Sequence, residues 1–346
     1  MPFRRCAPRW AVAGVVWAVA AGWARAEPPD RPPRAEGPLP KLDVPVPKLD
    51  VPLPTLGGKQ FWTDCVFFHQ WRIQRSALTG QFRLLDPNNL QHAAGGYVTC
   101  RAELEQIKRS RNLPPMKGKA VIVLHGLVRS RWTMSKLCDH LEKQGGYTVL
   151  NMSYASTRHE VARHAEALDS IVRRLEGIDQ INLVGHSLGN LVIRHWLYDR
   201  GHRRDGRRPE VRLGRVVMLA PPNHGSILAV ALADTGVYGA ITGKSGEELS
   251  RQWANLEGKL ATPPCPFGII AGGRSDDIGF NPFLEGDDDG TVSVASTRLA
   301  GAADFVLVPT IHPLIPSDSR TLEYTLRFLQ KGHFISPDKR QQIPKD

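Results

Sequence analysis

Three residue types, far apart along the chain, have the chemistry of covalent acyl transfer: a serine in a glycine-bracketed turn, then an acid, then a histidine. The serine is Ser187 in Gly185-His186-Ser187-Leu188-Gly189, directly after the apolar run Ile181-Asn182-Leu183-Val184. A strand that breaks into a sharp turn and then a helix presents such a hydroxyl at the top of a sheet. The two glycines are a steric requirement, because the serine backbone is strained and the strand and helix close in on each other. Composition alone produces the bare pattern too readily for it to stand by itself, so its context must carry it.

The acid must follow the serine in this architecture, and Glu285-Gly286-Asp287-Asp288-Asp289-Gly290-Thr291-Val292 offers three adjacent aspartates. Like charges raise one another's pKa, so at most one is expected to face a histidine while the others stay wet. Asp289, beside the glycine, is preferred, with Asp287 and Asp288 as alternatives. A calcium-binding acidic loop is the competing reading, since oxygen ligands are easily assembled here. The base is His312 in Pro309-Thr310-Ile311-His312-Pro313, an imidazole able to take a proton near neutral pH and return it. Of twelve histidines only His312 and His333 follow Asp289, and His333 lies beyond the last helix in a polar tail. His186 is expected to face elsewhere on its tight turn. Negative charge developing on the former carbonyl oxygen needs preorganised backbone donors. Those are assigned to Leu127, in His125-Gly126-Leu127, and to Leu188; the His125 ring reads as a strut.

The elements that must position these groups alternate strand and helix. Ala120–Leu124, Tyr147–Met152, Ile181–Val184, Val216–Leu219, Phe267–Ala271 and Phe305–Val308 read as buried strands; Trp132–Lys143, Arg158–Leu175, Leu188–Tyr198 and Ser319–Leu329 read as helices. Strands apolar on both faces imply a parallel sheet covered on both sides, with its site outside the carboxyl ends of the strands. Before this core, Cys65–Phe68, Trp71–Ile73 and Gln81–Leu85 suggest antiparallel strands at a sheet edge, and 101–112 a charged surface helix stopped by Pro114 and Pro115. The stretch 223–264 reads as an insertion over the site. Ile227–Ala233 is wholly apolar, Gly236, Gly239, Gly243 and Gly246 loosen the chain, and a helix resumes over Glu247–Leu256. A mobile apolar cover suits a lipophilic ester, with Tyr238 and Trp253 able to line an acyl groove; an ordinary surface insertion is the alternative.

The 346 residues are 41% hydrophobic, enough for one α/β domain with extensions. Arg4, Arg5 and Arg9 precede the apolar run Trp10–Trp23 and then Ala24-Arg25-Ala26, the pattern of a signal peptide cleaved after Ala26, with a membrane anchor as the alternative. Cleavage removes four arginines and no acid, taking the formal charge from +11 to +7. Arg200, His202, Arg203, Arg204, Arg207 and Arg208 crowd one loop that could touch an anionic envelope surface, or simply be solvated. Export leaves Cys65, Cys100, Cys138 and Cys265; three pairings are possible, and Cys65 with Cys100 is preferred. No metal-ligand spacing and no nucleic-acid module is evident. The resulting division is a signal peptide over 1–26, a proline-rich linker over 27–58, an N-terminal extension packing on the core over 59–117, the catalytic domain over 118–332 and a polar tail over 333–346. In the linker Pro40-Lys41-Leu42-Asp43-Val44-Pro45 recurs at 47–52, favouring extended polyproline II structure.

Four segments, Val123–Ser130, Val184–Asn190, Leu219–Ser226 and Asp289–Ser293, together with the His312 segment, resemble those of α/β-hydrolases of the bacterial lipase and esterase group, with similarity also to the GPI-inositol-deacylase-like hydrolases. The resemblance covers about 120–330 and leaves 59–117 unmatched. It implies an α/β-hydrolase fold, with a mostly parallel doubly wound sheet, helices on both faces and a cap at about 223–264. It also implies a triad of Ser187, Asp289 and His312, an oxyanion hole of Leu127 and Leu188, and no cofactor or metal. The expected activity is hydrolysis of carboxylic esters of lipids or similar acyl compounds by an exported enzyme. Two alternatives remain: an acyltransferase of envelope lipid or polymer using the same triad, and a non-catalytic envelope binding module that keeps the fold.

Overall fold

The computed structural model describes residues 53–54, 60–202, 212–225, 237–250 and 252–345, all within one compact unit, Leu49–Asp346. The signal peptide, nearly all of the linker, Ile227–Ala233 of the cap and Arg203–Arg208 of the basic loop lie outside the described residues.

The strands that read as apolar on both faces form one sheet because both faces are covered. β6 (Gly118–Leu124), β7 (Thr148–Met152), β8 (Ile178–His186), β9 (Leu213–Leu219), β10 (Phe267–Gly273) and β11 (Asp304–Pro309) are ordered β11-β10-β9-β8-β6-β7, every neighbouring pair parallel. Side chains alternate between faces. Ala120, Ile122 and Leu124 of β6 join the cluster that includes Leu168, Ile171, Val172, Leu191 and Val192 of α3 (Val161–Arg174) and α4 (Leu188–Gly201). Val121 and Val123 join the opposite cluster with Leu137, Leu141, Phe328 and Leu329 of α2 (Ser135–Gly145) and α7 (Ser319–Lys331). The chain runs outward from β6 to β7 and returns to place β8 on the other side of β6, which creates a topological switch point. In parallel sheets the crevice at such a point is where ligands bind. This is the α/β-hydrolase arrangement.

The N-terminal strands are a separate layer rather than an edge of that sheet. β1 (Leu53–Pro54), β2 (Trp62–Phe68), β3 (Trp71–Ser76), β4 (Phe82–Leu85) and β5 (Leu90–Gly95) form an antiparallel sheet ordered β1-β5-β4-β3-β2. β1 shows that the end of the linker pairs with β5. The sheet joins the α3 side of the core through Val66, Phe67, Phe68, Ile73 and Leu84, together with Cys100, Leu104 and Ile107 of α1 (Tyr97–Ser110). The fully buried Asp64 fixes the docking. Its backbone N–H donates to Ser153 O at 2.9 Å and its carboxylate accepts from Ser153 N at 2.6 Å, Gln74 Nε2 at 2.8 Å and Arg72 Nη1 at 3.4 Å.

Three further expectations are corrected. The preferred Cys65–Cys100 disulfide is not formed, and all four described cysteines are free thiols. Cys100 is buried in the core on α1, while Cys65 donates to Thr63 O beside the β2 bulge. The helix expected over Glu247–Leu256 is instead α5 (Val237–Ser250) and α6 (Trp253–Glu257). A kink at Gly243 (φ 61°) separates the two parts of α5; a Cβ there would collide with the Thr157 carbonyl. The polar tail is tied down: Asp304 accepts from Phe334 N at 2.7 Å and from Gln341 N at 2.9 Å, and Phe334 is wholly buried.

Removing the buried Asp64 carboxylate strands Arg72 and the Ser153 amide. Asp64→Ala should lower unfolding free energy by about 3–5 kcal/mol, read from the urea midpoint at constant slope.

Candidate active site

β8 ends where the backbone can no longer remain extended. Ser187 has φ 53° and ψ −121°, a region that L-residues rarely enter. Its N–H donates to Leu219 O at 2.9 Å, and Asn190 Nδ2 donates to Ser187 O and Leu219 O, both at 3.1 Å. The flanking glycines are needed as expected. A Cβ on Gly189 would lie 2.7 Å from Leu124 O, and one on Gly185 would lie 2.8 Å from Asn190 N. Within 181–197 every residue is buried except Ser187, which is half-buried. Its hydroxyl makes no hydrogen bond to a described residue.

The segment after β6 runs against this turn, since a Cβ on Gly126 would sit 3.2 Å from Ser187 Cβ. The wholly buried His125 shapes it. Nδ1 donates to Gly126 O at 2.8 Å, the ring stacks on Tyr154 with centroids 4.1 Å apart, and the Tyr154 hydroxyl donates to His125 O. Burial pushes the imidazole down to about 4, so it remains neutral and acts as a strut. Leu127 N and Leu188 N have no acceptor among the described residues; Leu188 opens α4, where the first amides have no intrahelical partner. Val128 (φ 57°) and Ala220 (φ 43°), just past β6 and β9, are also left-handed. Three strained non-glycine residues therefore gather at adjacent strand ends.

The three aspartates divide their work. Asp287 accepts from the Arg274 and Ser275 amides at 2.7 and 2.8 Å, and Asp288 accepts from Asn281 N at 3.1 Å and Gly290 N at 2.6 Å. Asp289 Oδ1 accepts from Thr291 N at 3.0 Å and Val292 N at 2.8 Å, and Oδ2 takes the Nδ1–H of His312 at 2.6 Å. One carboxylate faces the histidine, as expected, but the others do not simply stay wet: Asp288 is fully buried. Backbone amides replace the water it would otherwise need.

Sequence reading missed two contributors. Gly272, next to last in β10, has no side chain where a Cβ would lie 2.8 Å from both Asp289 Cβ and Thr310 O; the Gly272-Gly273 pair closing an apolar strand was the available signal. His186 does not face away from the site. Its buried ring lies 4.8 Å from that of His312, and Nε2 donates to His312 O at 3.1 Å. His312 N in turn donates to Asp289 O at 2.8 Å. Burial, reinforced by the nearby His312, holds His186 well below its ordinary pKa. The structure thus joins Asp289 directly to His312, and His186, adjacent in sequence to Ser187, links that pair to the serine turn.

No protein-family model and no curated protein matches the chain. Among solved structures it is similar to phospholipase PlaB from Legionella pneumophila, with 21% identity over 62% of this chain and 60% of that one and a TM-score of 0.45. It is also similar to the lipase BlEst2 from Bacillus licheniformis in its propeptide form, with 18% identity, 65% and 52% covered and a TM-score of 0.48. A hydrolase from Oleispira antarctica gives 14% identity, 62% and 91% covered and a TM-score of 0.40. The chain therefore spans less than two thirds of the phospholipase and of the lipase.

The buried His125 yields a pH prediction. Its folded pKa of about 4 is below the ordinary unfolded value of about 6.5, so the unfolded chain binds the proton first. Its contribution is fully present above pH ~6.5 and is lost as pH falls toward ~4, by up to about 1.4 kcal/mol per pH unit. Urea midpoints between pH 7.5 and 4.5 should fall less steeply in His125→Asn than in the parent chain.

Proposed function

We propose that this chain is a serine hydrolase of carboxylic esters with lipophilic acyl groups. The observation that carries the reading is the buried Asp289–His312 pair set beside a strained, solvent-reaching Ser187 and two unpartnered amides. Asp289 takes the Nδ1–H of His312 and so leaves Nε2 as the basic nitrogen. In the proposed reaction Ser187 Oγ attacks the ester carbonyl while His312 Nε2 accepts its proton. The carbonyl oxygen becomes an anion facing the Leu127 and Leu188 amides. His312 returns the proton to the departing alcohol, leaving an acyl ester on Ser187. Water, deprotonated by the same imidazole, then attacks the acyl carbonyl, and the imidazolium returns that proton to Ser187 Oγ as the carboxylic acid leaves. Asp289 holds the ring in the required tautomer and stabilises the imidazolium.

The lipophilic substrate class rests on the surface. Of ten large hydrophobic residues exposed among the described residues, seven flank the candidate segments: Val128 and Trp132 after β6, Ile278, Phe280 and Phe283 before Asp289, and Ile311 and Leu314 around His312. They are 37% to 72% exposed. Concentration of apolar surface at one rim marks an interaction site, and an alkyl chain leaving water there gains about 0.8 kcal/mol per buried CH₂. Export by the leader ending at Ala26 belongs to the same reading and would bring the enzyme to envelope lipids.

A fluorophosphonate probe should label the intact chain and leave Ser187→Ala unlabelled. On p-nitrophenyl esters, Ser187→Ala should lower kcat on the order of 10⁶-fold, and Asp289→Asn on the order of 10⁴-fold. Activity should rise from acetate to medium-chain esters. Equal labelling of Ser187→Ala would refute the nucleophile assignment, and a flat chain-length profile would refute the lipophilic class.

A further inference from the structure

A cavity of about 490 Å³ lies away from the candidate catalytic residues, between the N-terminal sheet, α1 and α3. Three arginines line it, and they are not equally occupied. Arg163 is paired with Glu166. Arg174 is held only by neutral groups, with Nε donating to the Tyr97 hydroxyl at 2.9 Å and Nη1 to Ser170 O and Oγ at 3.1 and 2.6 Å. Arg75 leans over the Phe82 ring at 6.0 Å. Among the described residues neither Arg75 nor Arg174 has a carboxylate partner. Burial holds His159 below its ordinary pKa, and Arg163, Lys244 and Arg75 push it further down.

We propose that this cavity binds a phosphoryl monoester. A phosphomonoester carries about −1.5 to −2 near neutral pH, which two unpaired guanidiniums match, whereas a carboxylate would leave one of them uncompensated. Arginine's planar fork suits phosphate oxygens. The Tyr97 oxygen accepts from Arg174, leaving its own hydroxyl proton to give to a phosphoryl oxygen. The same chemistry occurs in soluble glycerol phosphates and in the headgroup of a phosphatidic acid.

The test uses the full chain as Ser187→Ala, so that its outcome does not depend on the hydrolase assignment. Calorimetric titration with glycerol 3-phosphate should show saturable binding where glycerol shows none, and Arg75→Gln and Arg174→Gln should each raise Kd on the order of tenfold or more. Among the described residues the Arg75 side chain makes no hydrogen bond, so Arg75→Gln should keep the parent unfolding midpoint. Cosedimentation with phosphatidylcholine vesicles containing phosphatidic acid supplies the second arm. Vesicle binding lost in Arg75→Gln without glycerol 3-phosphate binding places the group in a lipid, and the converse places it in a soluble ester. Binding of neither probe, binding unchanged in both arginine variants, or acetate bound as tightly as glycerol 3-phosphate would overturn the proposal.

Discussion

The close approach of three backbone segments around Ser187 is the constraint on which the site depends. A left-handed serine costs on the order of 1–3 kcal/mol, and it persists only because its surroundings are over-determined. β6, β8 and β9 are locked in parallel register, with Leu124 opposite Gly185 and His186 opposite Leu219. Ser187 N and Asn190 Nδ2 both bond the Leu219 carbonyl, so the strained turn is fastened to the neighbouring strand. Gly126, Gly185 and Gly189 admit the contact because no Cβ intervenes. The same crowding that strains the serine brings the segment after β6 against its Cβ, and so sets where an ester carbonyl would have to lie.

Electrostatics enter through a second fixed segment. Three consecutive carboxylates would repel one another in an apolar interior, yet each has its own backbone amides. Only Asp289 also has a charge-capable partner, at 2.6 Å. His312 is gripped by three contacts: its ring by Asp289, its N–H by the Asp289 carbonyl and its carbonyl by His186. His186 is kept neutral by burial and is a positioning residue, tying the imidazole segment to the turn that carries the hydroxyl.

The six parallel strands were legible in the sequence because each is an apolar run shielded on both faces, and the strand-turn-helix around Ser187 because its glycines have no other role. Order along the chain singled out His312 after the acid. What escaped were features decided by tertiary contact. Cys65–Leu85 alternates like any half-buried sheet, and nothing local says that it forms a layer of its own rather than an edge. Residues 333–346 are polar in composition, and only the burial of Phe334 and the two amides on Asp304 reveal that they are fastened. His186 was read by its place on a tight turn, when its partner lies 126 residues away.

Convergence of Ser187, His312 and the two amides on one reacting centre is what the proposed chemistry requires. A crystal structure of the chain after reaction with an alkyl phosphonate ester tests it directly. Convergence requires a covalent bond from Ser187 Oγ to phosphorus, the phosphonyl oxygen within hydrogen-bond distance of Leu127 N and Leu188 N, and His312 Nε2 facing an adjacent oxygen while Nδ1 stays on Asp289. An adduct on another residue, or a phosphonyl oxygen directed away from both amides, would contradict it.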